Sequence, residues 1–228
     1  MEGMKNKCPA FSRGEKELSS YHIRNTIGFG SSGEVKVVRH KQDGQVYALK
    51  RLYKNEIMMR RHTARHIYAE QAVLLMAKTK KSEWIVSLRA AFQTRRDLYL
   101  CMEFLPGGDL TVRLQHEDVL TEEAARFYAA ETVMAIESTH KLGVIHRDIK
   151  PDHILIDHDG HVKLADFGLA KLVPARLESG DEGGDHASAM LAPSSPEPDV
   201  AYLGYRIGTA GYMAPELMLG ETYSFEVD

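Results

Sequence analysis

Length, composition and charge limit this chain to one large domain or two small ones. It has 228 residues, of which 43% are hydrophobic and 27% charged, a globular profile that excludes a fibrous or wholly disordered chain. The 29 lysines and arginines nearly balance the 32 acidic residues, so the net charge predicts no nucleic acid partner. Its apolar runs are too short for a membrane span, and we predict none.

The two cysteines indicate a reducing compartment. Cys8 and Cys101 lie far apart in the sequence, which fits neither a metal-binding pair nor a disulfide framework. The simplest interpretation is a cytoplasmic protein, with the nucleus as the alternative location.

The first half of the chain alternates like a sheet and contains one main helix. Residues 1–20 are polar and without pattern, which predicts a flexible lead-in. Asp43-Gly44 separates two alternating runs and predicts a hairpin. The strands are predicted at about 21–28, 34–40, 45–52, 84–93 and 97–103, with a helix at about 62–78.

The second half reads as mainly helical. Pro106-Gly107-Gly108 breaks the pattern, Thr121 can cap a helix that ends near Gly143, and a short hairpin is predicted over 154–164. The order predicts an α+β chain of two lobes. The N-lobe, 21–103, would be a five-stranded antiparallel sheet with one main helix, and 104–228 a mainly helical, incomplete C-lobe.

A glycine-rich run near the start is the first chemical signal. It is a G-x-G-x-x-G pattern that is followed by a strand rather than by a helix, which argues against a dinucleotide-binding Rossmann turn. The interpretations left open are an ordinary turn and a hairpin whose backbone N–H groups close over phosphates. The run comprises Gly28, Phe29, Gly30, Ser31, Ser32 and Gly33.

Lys50 and Glu70 form a second signal. Lys50 stands in an apolar strand, and Glu70 lies on the largely apolar face of the predicted helix between Ile67 and Leu74. A carboxylate buried there costs free energy unless it is paired, and Lys50 is a suitable partner.

Three further motifs complete a set typical of protein kinases. They are His146-Arg147-Asp148, Asp166-Phe167-Gly168 and Ala214-Pro215-Glu216, in the order that kinases have them. From about Tyr21 to Asp228 the chain resembles the eukaryotic protein kinases. Within them it is similar to the AGC group and its NDR/LATS branch, a likeness carried by residues 102–109, 130–136 and a long insertion before Gly208.

The resemblance implies an ATP-dependent serine/threonine kinase with defined roles for its residues. Lys50, oriented by Glu70, would hold the ATP phosphates, Asp148 would accept the substrate proton, and Lys150 would neutralise the transferring group. Asp166 would bind Mg²⁺. The adenine would meet the hinge at Met102, Glu103 and Leu105 and lie between Val35, Ala48 and Leu155, although these apolar residues could equally be plain core.

Substrate recognition also follows from the resemblance. It implies protein substrates with Ser or Thr acceptors near basic residues, bound at Asp109, Asp152 and Thr209. The alternative is a nucleotide-binding pseudokinase, or truncated scaffold, without phosphotransfer.

His153 departs from the kinase pattern. Kinases place Asn at this position, where it helps to hold a second Mg²⁺, whereas imidazole suits Mn²⁺ better than Mg²⁺. We therefore expect His153 to stand beside the metal, with Mn²⁺ as an alternative cation. A zinc site of His153, His158 and His161 is disfavoured, because no fourth ligand is evident.

The activation segment and the chain ends depart as well. Tyr205 stands where AGC kinases carry a phosphorylated Ser or Thr, within an acidic insertion at 172–205. Residues 223–228 resemble the approach to the central helix of the C-lobe, so the chain is expected to be a fragment or a truncated form. Residues 1–20 show no basic helix of the type that binds MOB coactivators, so that partner is not supported.

Overall fold

A mixed sheet organises the first half of the chain. The structure, a computed structural model, describes residues 11–30, 33–59, 61–173 and 207–228. Within them, six strands pair in the order β1-β5-β6-β4-β3-β2, and all the pairings are antiparallel except that of β1 with β5. The strands are β1 Ser12–Arg13, β2 Tyr21–Gly30, β3 Gly33–His40, β4 Val46–Tyr53, β5 Leu88–Gln93 and β6 Asp97–Glu103.

The two faces of this sheet bury separate clusters, as the two-residue period of a strand requires. Leu52 and Leu100 belong to the main core, which the following helix covers. Leu49 and Cys101 belong to a second cluster on the outer face, which also contains Val38. Gly44 allows the β3–β4 hairpin to turn tightly, because its φ of +71° lies in the region that favours glycine.

Three helices accompany the sheet. They are α1 Glu15–Ser19, α2 Lys54–Met59 and α3 Arg61–Thr79. The predicted helix at 62–78 is therefore confirmed within two residues, and it buries Ile67, Glu70 and Leu74 as predicted. Of the helices that the structure describes, none is long and apolar enough to cross a membrane.

The second half is mainly helical, with short strands. Its helices are α4 Leu110–Glu117, α5 Glu122–Lys141 and α6 Pro215–Leu219, and its strands are β7 Val144–Ile145, β8 Ile154–Ile156, β9 Val162–Leu164 and β10 Lys171–Leu172. The predicted cap of α5 is present, since the Thr121 side chain accepts a hydrogen bond from the Ala124 N–H. β8 and β9 form the predicted hairpin.

Two expectations for the first half are wrong in detail. Residues 11–20 are not a frayed lead-in, because Phe11 is buried and Ser12 and Arg13 add a parallel strand to the edge of β5. The strand predicted at 84–93 begins only at Leu88. The residues before it run towards the C-lobe, where Ile85 forms an isolated bridge with Leu164.

Candidate active site

Three charged side chains from separate elements meet between the sheet and the helical half. Lys50 lies on β4, Glu70 on α3, and Asp166 follows β9. The Nζ of Lys50 donates to Glu70 Oε1 at 2.6 Å and to Asp166 Oδ1 at 3.1 Å. Glu70 is only 3% exposed, so its charge would be costly to bury without the ammonium group beside it. The predicted pairing of Lys50 with Glu70 is therefore present.

These charges shift one another's pKa. Lys50 holds the pKa of Asp166 well below the ordinary value of an aspartate. Burial alone would lower the pKa of Lys50, but Asp166 and Glu70 together raise it above its ordinary value. Burial raises the pKa of Glu70, an effect that Lys50 partly offsets. Lys50 is therefore protonated and Asp166 ionised at neutral pH, as charges that hold phosphate and a cation should be.

Asp148 is held by a residue far along the chain. It is 8% exposed, and its Oδ1 accepts hydrogen bonds from both the backbone N–H and the hydroxyl of Thr209, each at 2.7 Å. Lys150 Nζ donates to Thr209 Oγ1 at 2.7 Å and lies 3.4 Å from Asp148 Oδ2. The structure thus joins the residues predicted for catalysis to Thr209, which was predicted to bind substrate.

Asp228 fixes the backbone that carries Asp148. Its two carboxylate oxygens accept from the N–H of His146 at 2.7 Å and from the N–H of Arg147 at 2.6 Å. Arg147 has a φ of +68°, which is uncommon for a residue with a side chain, and these bonds offset the strain. The Arg147 Nε also donates to the carbonyl of Leu169 at 2.7 Å, which ties this loop to the segment after Asp166.

His153 stands beside the predicted metal ligand. Its Nδ1 lies 2.9 Å from the Asp148 carbonyl oxygen and must donate there, which turns Nε2 towards Asp166. That Nε2 is 3.7 Å from Asp166 Oδ2. Asp166 offers the oxygen that Mg²⁺ prefers, whereas the nitrogen of His153 fits Mn²⁺ better.

The other two histidines of the disfavoured zinc site are engaged elsewhere. His161 Nδ1 lies 2.6 Å from Glu131 Oε1, and His158 lies beside Asp159 in the exposed turn of the hairpin. In the part of the chain that the structure describes, no three His, Cys, Asp or Glu side chains group closely enough to hold a metal ion. A cation at Asp166 would therefore take most of its ligands from phosphate and water, as Mg²⁺ commonly does.

The glycine-rich run lies where β2 ends, at Gly30, and β3 begins, at Gly33. Gly30 pairs with Gly33, and a strand follows, as predicted. A Cβ on Gly33 would lie 1.8 Å from the carbonyl oxygen of Arg51, so the close approach to β4 requires glycine there. Phe29 is 85% exposed at this end of the hairpin.

The residues predicted to enclose adenine lie on adjoining elements. Val35 is half-buried on β3 and pairs with Gly28 across the hairpin. Ala48 on β4 pairs with Met102 on β6, so both lie in the central strands. Leu155 is half-buried on β8 in the other lobe. Val35 and Ala48 thus lie on strands of the N-lobe, and Leu155 lies on a strand of the C-lobe.

The hinge contains a contact that the sequence did not reveal. Lys163 on β9 donates to both carboxylate oxygens of Glu103 at 2.9 Å, and Glu103 Oε1 also accepts from the Ser87 N–H at 2.7 Å. Leu105, the next predicted adenine contact, is 8% exposed. The period-two pattern of β9 predicts only that Lys163 points away from the core, and it gives no sign of the partner.

Asp109 and Asp152 belong to adjoining segments of the C-lobe, since α4, which Asp109 caps, contacts the turn Pro151–His153. Asp109 caps α4, because its Oδ1 accepts from the Val112 N–H at 2.8 Å, and it forms an isolated bridge with Leu155. Asp152 is exposed within the turn Pro151–His153, against which α4 packs.

Some expectations fall outside the described residues. These concern Ser31, Ser32, Tyr205, most of the acidic insertion and residues 1–10. Arg147 is described, and it donates to the hydroxyl of Tyr223 at 2.8 Å.

The two-lobed fold and this constellation define the class of the protein. Residues 21–228 match the protein kinase domain family, so the chain belongs to that family. The predicted α+β, two-lobed fold class is confirmed. The prediction of a five-stranded antiparallel sheet is wrong in detail, because β1 adds a sixth, parallel strand to the sheet among the described residues.

Comparison with individual proteins shows which protein kinases the chain is similar to. The chain is 40% identical over 241 residues to serine/threonine-protein kinase CBK1 of Candida albicans, a match that covers 92% of this chain and 32% of that protein. It is 39% identical over 243 residues to serine/threonine-protein kinase cot-1 of Neurospora crassa, and this match covers 96% of this chain and 40% of cot-1. It is 50% identical over 153 residues to serine/threonine-protein kinase CBK1 of Saccharomyces cerevisiae, and this match covers 67% of this chain and 20% of that protein. These are AGC kinases of the NDR/LATS type, which confirms the predicted resemblance, and the chain spans less than half the length of each.

Proposed function

We propose that this chain is an ATP-dependent serine/threonine protein kinase that transfers the γ-phosphoryl group of ATP to protein hydroxyls. The observation that carries the proposal is Lys50, which is bonded at once to Glu70 on α3 and to Asp166 beyond β9. This pairing links the two lobes, and His153, which lies 3.7 Å from Asp166 and 3.5 Å from Asp148, connects it to the catalytic aspartate. The relatives named as serine/threonine kinases support the same assignment.

In this proposal, each side chain supplies position or charge rather than covalent chemistry. Lys50 holds the phosphates, Asp148 orients the substrate hydroxyl and accepts its proton, and Lys150 neutralises charge on the transferring group. Thr209 holds both Asp148 and Lys150 in place through the bonds described above. Lys150, two residues after Asp148, is the serine/threonine-type pattern.

The same proposal assigns the nucleotide and its cation. The glycine-rich turn covers the phosphates, while Val35, Ala48 and Leu155 enclose the adenine against the hinge at 102–105. Asp166 holds Mg²⁺ or Mn²⁺, with His153 as the nitrogen neighbour that favours Mn²⁺. A bound cation would neutralise phosphate charge during transfer.

The test is phosphotransfer from labelled ATP to three peptides that differ only in a Ser, Thr or Tyr acceptor. We expect label on Ser and Thr, and a loss on the order of a hundredfold or more in Asp148→Asn. Asp159→Asn, which changes an exposed acid in the hairpin turn, is the matched control and should keep full activity. Transfer to Tyr alone, or equal rates in wild type and Asp148→Asn, would refute the assignment.

A pseudokinase that binds nucleotide without transfer is the second candidate, and His153 is the observation that favours it. Its imidazole stands 3.7 Å from Asp166, where it supplies nitrogen in place of the expected oxygen. Tight ATP binding combined with no transfer in Mg²⁺ or Mn²⁺ would favour this candidate.

We also propose that substrates carry basic residues near the acceptor. Asp109 and Asp152 belong to adjoining segments of the C-lobe, and both are accessible to solvent to some degree. Carboxylates in this setting pair well with arginine, whose planar fork is always charged.

A further inference from the structure

The residues before Tyr21 lie outside the family match, yet some of them are built into the domain. Phe11 is 4% exposed and belongs to the main core cluster. Ser12 and Arg13 pair in parallel with Phe92 and Gln93 on β5, so that β1 forms the edge of the sheet. We call residues 11–14 the N-terminal clamp.

The clamp is fixed to β5 at several points. The Gly14 N–H donates to the Gln93 carbonyl at 2.9 Å, and Ser12 Oγ donates to the Ala91 carbonyl at 3.3 Å. A Cβ on Gly14 would lie 2.5 Å from the side chain of Phe92, so only glycine permits this approach. The clamp thus crosses the sheet edge from the inner core to the outer cluster.

The clamp also contacts the helices that lie over the sheet. The Phe11 ring meets the Tyr68 ring on α3 edge to face, with centroids 6.3 Å apart. The Gln93 side chain donates to the Phe11 carbonyl at 2.8 Å and accepts from Lys54 Nζ at 2.9 Å. Since Lys54 is the first residue of α2, the clamp is connected to both α2 and α3.

These contacts bear on the active site because α3 carries Glu70. Glu70 lies two residues after Tyr68, and it must keep its 2.6 Å bond to Lys50 for the lysine to stay in position. We propose that the N-terminal clamp positions α3, with Phe11 as the positioning residue that keeps Glu70 against Lys50. This inference rests on the proposed kinase function for its catalytic consequence, but not for its structural content.

A simpler interpretation is that the clamp only covers an exposed sheet edge, as edge strands commonly require. The two interpretations differ in where the effect of a mutation appears. Leu18, on the helix α1 that follows the clamp, packs against the outer cluster on the opposite face of the sheet. Leu18→Ala is therefore a matched control. It weakens the packing of α1, which follows the clamp, at a residue that contacts the outer cluster rather than α3.

The experiment is amide hydrogen exchange on the full 228-residue chain, followed in peptides that cover residues 61–79. We expect Phe11→Ala to raise exchange in α3 about tenfold, with little change in the hairpin at 154–164. Leu18→Ala should leave residues 61–79 unchanged, and Phe11→Leu should give an intermediate rise. In parallel, kcat should fall in Phe11→Ala and stay near wild type in Leu18→Ala.

Equal exchange at residues 61–79 in wild type and Phe11→Ala, or an equal rise in Phe11→Ala and Leu18→Ala, would overturn the proposal. If Phe11→Ala unfolds the whole chain, the same comparison is made with Phe11→Leu. Hydrogen exchange does not depend on phosphotransfer. It would therefore still decide whether the clamp positions α3 even if the chain proved not to be an active kinase.

Discussion

His153 is the residue that most alters the expected chemistry. Its Nδ1 is tied to the Asp148 carbonyl, so the ring is held with Nε2 towards Asp166 rather than free to turn away. An asparagine at this position would present an amide oxygen to the same cation. Under the proposed function, we expect this side chain to influence which cation the site prefers.

We predict that His153→Asn raises the Mg²⁺-dependent rate on the order of tenfold and lowers the ratio of the Mn²⁺ rate to the Mg²⁺ rate. The measurement is phosphotransfer at saturating ATP with each cation in turn. His161→Asn is the control, because it replaces a partly exposed imidazole that pairs with Glu131 outside the site. The metal argument fails if both variants show the same ratio of rates as wild type.

The Lys163–Glu103 pair predicts a second effect at the residue scale. It joins the hinge to β9, three residues before Asp166, so its loss should disturb the hinge that we propose binds the adenine. A partly exposed pair contributes roughly 1 kcal/mol, so Lys163→Met should raise KM for ATP about fivefold with little change in kcat. Lys141→Met, which removes an exposed helix pair with Glu137, should leave KM unchanged. A fall in kcat at constant KM would contradict this role.

At the scale of elements, the cap of α5 should have a measurable effect on stability. Thr121 satisfies the Ala124 N–H at the start of this 20-residue helix. Thr121→Ala should therefore lower the free energy of unfolding by about 1 kcal/mol in urea titration. Thr132→Ala is the control, since its hydroxyl bonds back to the Tyr128 carbonyl within the helix and alanine suits that position. An equal loss in both variants would mean that the cap adds nothing.

The elements that the sequence predicted well are those with local signals. The bounds of α3, the cap at Thr121 and the β8–β9 hairpin each depend on residues within a few positions. The strand β1 has only two residues and pairs with β5 about 80 positions away, so no local pattern could reveal it. For the same reason residues 1–20 were interpreted as a lead-in without structure.

For the whole molecule, the motifs identified the class but not the contacts that assemble the site. Glu70 could be matched to Lys50 because a buried carboxylate needs a cation, and this physical requirement is visible in sequence. Asp228 reaches the backbone of His146 from 82 positions away, a contact that no local pattern predicts. The contacts of Phe11 were not predicted at all, since tertiary packing alone brings it to α3.

Under the proposed function, substrate choice would also be a property of the whole molecule, because it would depend on charges from two segments of the C-lobe. We predict a preference for Ser or Thr peptides with arginine upstream of the acceptor, read by Asp109 and Asp152. Each partly exposed pair contributes roughly 0.2–1 kcal/mol, so discrimination should be severalfold per site. This discrimination should weaken at high salt, because the distance over which exposed charges interact falls from about 10 Å at 0.1 M ionic strength to about 3 Å at 1 M.

The test is a peptide array with and without upstream arginine, read at low and high salt for wild type, Asp109→Asn and Asp152→Asn. Asparagine caps helices about as well as aspartate, so Asp109→Asn removes the charge while the bond to the Val112 N–H can remain. Each variant should lose part of the preference for arginine while keeping its rate on neutral peptides. Asp159→Asn removes an exposed acid outside this region and should rank the peptides as wild type does. If Asp109→Asn and Asp152→Asn also rank them identically, the selectivity resides in other residues.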